Sequence, residues 1–147
     1  MKLLTICIPC YNAIEYMHKA LGSCLLLKDE LEVIIIDKNS TDETYEVAME
    51  YQNEYPDTFK VIKNTENIDD IKCAYQYTTG LYFKLLNSYD WFDQASFVQV
   101  INIKRYYSST SKSGCFSNRL FLLLWKKTTQ SKLSFACQVI KFLAGMK

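Results

Sequence analysis

Two short apolar runs, Leu3–Ile8 and Glu32–Ile36, bracket an amphipathic stretch, and no other feature of the chain restricts its fold so tightly. Continuous Ile, Leu and Val runs of this length suit strands covered on both faces, as in a parallel sheet. Between them, Ala13–Leu27 places Ile14, Met17, Leu21 and either Cys24 or Leu25 on one helical face. The unit therefore reads strand–helix–strand. In such sheets ligands bind outside the carboxyl ends of the strands. Two loops fall there, Pro9-Cys10-Tyr11-Asn12 and Asp37–Asp42.

The alternation continues to about residue 93. Ser40 or Thr41 is placed to cap a second helix, which runs through Val47, Ala48 and Tyr51 and stops before Pro56. Phe59–Ile62 reads as a third strand, Asn64–Asp70 as a polar loop, and Ile71–Thr78 as a helix with Gly80 as its C′ residue. Leu81–Leu86 is a fourth strand opening into Asn87-Ser88-Tyr89-Asp90-Trp91, and Asp93 or Ser96 starts a helix through Val100 and Ile103. The expected class is α/β, a mostly parallel sheet flanked by helices. Ser108–Ser117 is a polar linker ahead of two apolar-basic segments, Leu120–Trp125 and Leu133–Ala144, so residues 1–106 form the domain and 107–147 a divergent basic tail.

Charge also divides the chain, at residue 93. All 16 acidic residues lie at or before Asp93 with 8 of the 17 basic ones, while residues 94–147 carry the other 9 Lys/Arg and no acid. Six scattered cysteines, with no signal-peptide pattern after Met1-Lys2, suit reduced thiols in the cytoplasm better than a disulfide framework. No run reaches the ~18 apolar residues of a membrane span. The basic residues are dispersed and no nucleic-acid motif accompanies them, so nucleic acid is not an expected partner. Leu120–Trp125 followed by Lys126-Lys127 does have the apolar–basic juxtaposition of a peripheral membrane contact, at the inner face of a membrane; a helix packed on the sheet with Lys exposed, or disorder, is the alternative.

The strand-end loops offer a phenol (Tyr11), an amide (Asn12), a carboxylate (Asp37), hydroxyls (Ser40, Thr41) and a further carboxylate (Asp90). A nucleoside needs an aromatic or apolar wall and a carboxylate or amide for its polar edges, and a diphosphate needs a cation, usually a divalent metal on carboxylate oxygens. Spacing alone leaves an equal alternative, in which Tyr11-Asn12 is a turn and Asp37 merely ends a strand. Cys7-Ile8-Pro9-Cys10 also has the form of a thioredoxin-like redox site between strand and helix. A zinc site is disfavoured, because Cys115 and Cys137 are isolated and no histidine is near them.

Leu4-Thr-Ile-Cys-Ile-Pro-Cys-Tyr-Asn12, then Ile34-Ile-Ile-Asp-Lys-Asn-Ser-Thr-Asp-Glu-Thr44, then Thr79-Gly-Leu-Tyr-Phe-Lys-Leu-Leu-Asn-Ser-Tyr-Asp-Trp-Phe-Asp93, resemble in order three motifs of family-2 glycosyltransferases over about residues 3–100. The resemblance implies an incomplete Rossmann-like GT-A nucleotide-binding domain. It implies transfer of a sugar, with inversion, from a nucleotide-sugar donor (a UDP-sugar) to a saccharide or lipid-linked acceptor. Pro9, Tyr11, Asn12, Asp37 and Ser40 are then the nucleotide-binding residues. The implied cofactor is Mg or Mn on the family's Asp-x-Asp motif.

That motif maps onto Asn87-Ser88-Tyr89, leaving Asn87 and the neighbouring Asp90 as the metal candidates. The second acid of the Asp-Asp pair after strand two is Lys38, and the glycine-rich loop expected near Asn67 is shortened. The family's catalytic base is a carboxylate beyond the metal motif, and the chain has none after Asp93, so no residue is assigned that role. His18, the only histidine, suits a surface or packing position. A non-catalytic nucleotide-sugar-binding module is therefore the alternative function, with truncation or a change of reading frame as the origin of the tail.

Overall fold

The computed structural model describes residues 2–65, 69–109 and 140–141. Strands β1 (Leu4–Cys10), β2 (Leu31–Asp37), β3 (Phe59–Lys63) and β4 (Tyr82–Leu85) alternate with helices α1 (Ile14–Leu25), α2 (Thr44–Glu54) and α3 (Asp70–Tyr75). Helix α4 (Gln94–Ser109) follows, and a two-residue β5 (Ile140–Lys141) completes the described chain. The sheet order is β3-β2-β1-β4-β5, parallel throughout except for β5 against β4.

Both faces of the central strands are covered, which is why they read as unbroken apolar runs. Ile6 and Ile8 of β1, with Val33 and Ile35 of β2, point into a core closed by Met17 and Leu21 of α1, Val47 and Ala48 of α2, and Phe97 and Val100 of α4. Their alternating neighbours Cys7, Ile34 and Ile36 point into a smaller core against Ala74 of α3 and Phe83 of β4. Two successive crossovers step from β1 to β2 to β3; the third returns past β1 to place β4 on its far side. The order reverses between β1 and β4, where doubly wound sheets open a crevice at their carboxyl ends.

Strand β1 runs past the expected Ile8 to Cys10, with Pro9 opposite Ile36. Pro9 faces the β4 side, beyond the last β1–β4 pair at Cys7 and Leu85, so its missing N–H removes no ladder bond. Helix α3 ends at Tyr75, earlier than expected, and is started by Asp69, whose Oδ1 accepts from Lys72 N at 3.0 Å. Gly80 does not serve as a left-handed C′ residue. It is required because a Cβ there would lie 2.6 Å from Thr5 N and Thr5 Oγ1. Glu32 fixes this approach, accepting from Thr5 Oγ1 at 2.7 Å and from Thr79 N at 2.8 Å.

Of the tail over 107–147, only 107–109 and 140–141 are among the described residues; the segments Leu120–Trp125 and Leu133–Ala144, apart from Ile140–Lys141, lie outside them. Asn67 of the expected glycine-rich loop lies outside them too. Among the described residues, no helix is long and apolar enough to cross a membrane.

Candidate functional site

The loops after β1 and β2 are joined into one unit. Asn12 and Asn39 take left-handed backbone conformations, with φ of 48° and 61°, which asparagine tolerates better than other side-chain-bearing residues. The turn at Asn12 aims its Oδ1 across the gap to accept from Thr41 N at 2.8 Å, and its own N–H donates to Ser40 Oγ at 3.1 Å. Ser40 Oγ in turn donates to Asp37 Oδ1 at 2.5 Å, and Ser40 N lies 3.2 Å from Asp37 Oδ2. Asp37 is fully buried. A buried carboxylate needs such donors, since its desolvation would otherwise go uncompensated.

The same loop engages the amino end of α1. Ala13 N donates to Thr44 Oγ1 at 2.8 Å, and Ile14 N to Asp42 Oδ2 at 3.3 Å. Asp42 Oδ1 accepts from Thr44 N at 3.0 Å, so one carboxylate closes the first turns of both α1 and α2. Ser40 and Thr41, the expected caps of α2, are drawn instead toward Asp37 and Asn12. Hydrogen bonds from the Thr44 side chain, then from the Thr44 and Ile14 amides, hold the Asp42 carboxyl below its ordinary value. With the amides of Asn12, Ala13 and Ile14 all engaged, the start of α1 is not an open phosphate cradle of the glycine-loop kind.

Lys38 lies at the next position along the rim. Its N–H donates to Cys10 O at 3.0 Å, and its Nζ pairs with Asp70 Oδ2 at 2.7 Å while remaining substantially exposed. Asn64 ties the β3 end to Asp37 and Asp70, donating its N–H to Asp37 O at 2.7 Å and its Nδ2 to Asp70 Oδ1 at 3.4 Å. Beyond β4, Asn87-Ser88-Tyr89-Asp90 forms a turn in which Asp90 N donates to Asn87 O at 3.0 Å and Asn87 Nδ2 donates to Asp90 Oδ2 at 3.0 Å. The loop is held against α1 by Phe92 N donating to Ser23 Oγ at 3.1 Å, and Lys19 Nζ sits 3.5 Å above the Trp91 ring. Tyr11 and Tyr89, on the loops after the adjacent strands β1 and β4, are exposed.

Of the sequence candidates, Asn12, Asp37 and Ser40 thus form one hydrogen-bonded cluster, with Pro9 and Tyr11 leading into it from β1. Asn87 and Asp90 form a separate pair at the end of β4. Sequence reading did not single out Asp42 or Thr44 as contacts of α1, nor Asp70 as the partner of Lys38. The only available signal was the density of short polar side chains from Asp37 to Thr44.

The residues at the β4 end do not fit a divalent cation. Asp90 is buried to 1% exposure, and its Oδ1, without a hydrogen-bond partner among the described residues, is the single carboxylate oxygen left free. Its other oxygen faces the amide nitrogen of Asn87 rather than an oxygen that a shared cation would require. Among the described residues, no group of three His, Cys, Asp or Glu converges on a possible metal position. The redox alternative also fails. Burial pushes the Cys7 and Cys10 thiols up to about 12, whereas a redox cysteine needs an acidic thiolate, and the two point into different cores.

The model of the family described as Glycosyl transferase family 2 matches residues 5–108, from β1 into α4. The chain belongs to glycosyl transferase family 2. It is 33% identical over 105 residues to the uncharacterized glycosyltransferase MG025 of Mycoplasma genitalium, covering 67% of this chain and 35% of that one. Among solved structures, S. aureus TarS 1–349 in complex with UDP-GlcNAc has a TM-score of 0.61 at 24% identity, covering 69% of this chain and 30% of TarS 1–349. The mannosyltransferase PcManGT of Pyrobaculum calidifontis, in complex with GDP-Man and Mn2+, has a TM-score of 0.55 at 21% identity, covering 67% and 31%. These two likenesses establish the GT-A fold. The chain spans about a third of the length of each of these proteins.

Proposed function

We propose that this chain is the donor-binding portion of a family-2 glycosyltransferase, with the nucleotide held at the carboxyl ends of β1 and β2. The observation that carries the reading is the junction of Asn12, Ser40 and Asp37 across the carboxyl ends of β1 and β2, beside the strand-order reversal between β1 and β4, in a chain that belongs to this family. Tyr11 supplies an exposed ring beside the junction, suited to stack on a base, and Asn12 and Ser40 line its polar side. A uridine donor is favoured by the UDP-GlcNAc bound to TarS, and the acceptor is a saccharide or lipid-linked hydroxyl.

In the transfer this family implies, the acceptor oxygen bonds to the anomeric carbon, the bond from that carbon to the diphosphate oxygen breaks, and a base takes the hydroxyl proton. Residues 94–147 contain no carboxylate for that last role, so turnover calls for a group from elsewhere. Donor binding without transfer is the second reading, favoured by the poor fit of Asn87 and Asp90 to a cation. The excess of basic residues after Asp93 further supports contact with an anionic membrane face; sedimentation with anionic but not neutral vesicles, reversed by salt, is expected.

Calorimetric titration of UDP, UDP-sugars and GDP into the chain tests donor binding. Saturable UDP binding, weakened about tenfold by Asn12→Ala, is expected. Absence of binding by every nucleotide would overturn the reading.

A further inference from the structure

We infer that nucleotide binding at this strand-end rim is independent of a divalent cation, and that Asp90 is a structural carboxylate closing the β4 loop rather than a metal ligand. The first half rests on the donor-binding reading; the second does not.

Mg²⁺ demands near-octahedral oxygen coordination and keeps open positions for water and phosphate. Asp90 offers no such opening. It is buried to 1% exposure, with Oδ2 accepting the Asn87 amide N–H at 3.0 Å, so that the enclosed Oδ1, unpaired among the described residues, is the single carboxylate oxygen left for a cation that needs several. A cation shared by Asn87 and Asp90 would need the amide oxygen, yet the amide nitrogen faces the carboxylate. Tyr89 brings an exposed phenol where a second carboxylate would stand, and a neutral phenol is a poor ligand for a hard cation.

The other rim carboxylates are each committed to separate partners, and among the described residues no three acids, cysteines or histidines converge on one point. Asp37 accepts from Ser40, Asp42 accepts from Ile14 and Thr44, and Asp70 holds Lys38 and Asn64. Two of these are also neighbours of a cation or of helix amides whose positive ends would repel a metal ion. The loop is held by contacts of its own: the Asn87–Asp90 bond, the Ser23–Phe92 bond and stacking of Phe92 on Phe97 at 4.0 Å.

The test combines two readouts on the full chain. In the first, free Mn²⁺ is followed by electron paramagnetic resonance as protein is added, with no nucleotide present. No loss of the free-ion signal is expected; stoichiometric uptake abolished by Asp90→Asn would overturn the structural role of Asp90. In the second, UDP affinity is measured by calorimetry in Mn²⁺ and again in chelator. Equal affinities within about twofold are expected, and binding that appears or tightens about tenfold only with Mn²⁺ would overturn metal independence. Absence of UDP binding in both conditions would instead refute the donor-binding reading, leaving the resonance measurement to judge Asp90. The double variant Asn87→Asp with Tyr89→Asp, its fold checked by circular dichroism, is expected to gain Mn²⁺ uptake. Failure of the folded variant to do so would show that these two positions are not what excludes the ion.

Discussion

Thr44 and Asp42 show how single polar side chains hold the rim together. Thr44 is fully buried, and its hydroxyl oxygen takes the Ala13 N–H at 2.8 Å. Thr44→Val keeps the shape but strands that donor, so a loss of about 2 kcal/mol in unfolding free energy is expected, with Thr44→Ser near neutral. Denaturant melts of the two variants would check this. Asp42 makes the pH dependence specific. Its carboxyl is held below the ordinary 3.8 by Thr44 and Ile14, so the folded chain favours the ionised form. The stabilisation is therefore present above pH 3.8 and is lost as pH falls through the lower folded value. The stability gap between the natural chain and Asp42→Asn is expected to be level near neutrality and to shrink in acid. Lys38 is testable at this scale too. If its exposed ammonium faces the nucleotide, Lys38→Gln lowers UDP affinity and flattens its salt dependence; unchanged affinity would confine it to the Asp70 pair.

At the scale of elements, β1 is the reference against which everything else is placed. Gly80 meets it so closely that an added methyl group would strike Thr5 backbone and side chain at 2.6 Å. Gly80→Ala is expected to cost about 3 kcal/mol by forcing β4 away from β1, measurable as a lowered unfolding midpoint. The thiols report on the same packing. Burial pushes Cys7, Cys10 and Cys24 up to about 12, so all three are expected to resist alkylation in the folded chain and to react on unfolding. Because the neutral thiol is favoured by folding, their stabilisation is complete below pH 9.0 and declines as pH rises toward about 12.

The strands and their mostly parallel arrangement were largely readable from residue patterns, whereas their order in the sheet was not. Ile6-Cys7-Ile8 and Val33–Ile36 are apolar at consecutive positions because each side chain meets a covered face. The positions of Asn12 and Asp37 followed from strand ends alone. Their linkage did not, because the bonds from Asn12 to Ser40 and from Ala13 to Thr44 cross 28 and 31 residues. For the same reason Ser40 and Thr41 look like helix caps locally, although tertiary partners claim them. Gly80 is similar: its local context suggests a helix terminator, while the actual constraint comes from Thr5, 75 residues away.

Across the whole molecule, the family match ends at residue 108, near where the acidic residues have given way to an exclusively basic segment. The matched part contains the complete strand-order reversal and four parallel strands, which are the parts that create a nucleotide crevice. Residues 94–147 carry no Asp or Glu, and Asn87 and Tyr89 stand where the family resemblance implies paired acids. Amide-resolved nuclear magnetic resonance during a UDP titration would decide whether the β1–β2 rim is the nucleotide-binding site. Shifts confined to Tyr11–Ala13, Asp37–Thr41 and the residues packed on them, saturating at one equivalent, are the expected result. Shifts elsewhere with this rim unmoved, or no shifts at all, would contradict it.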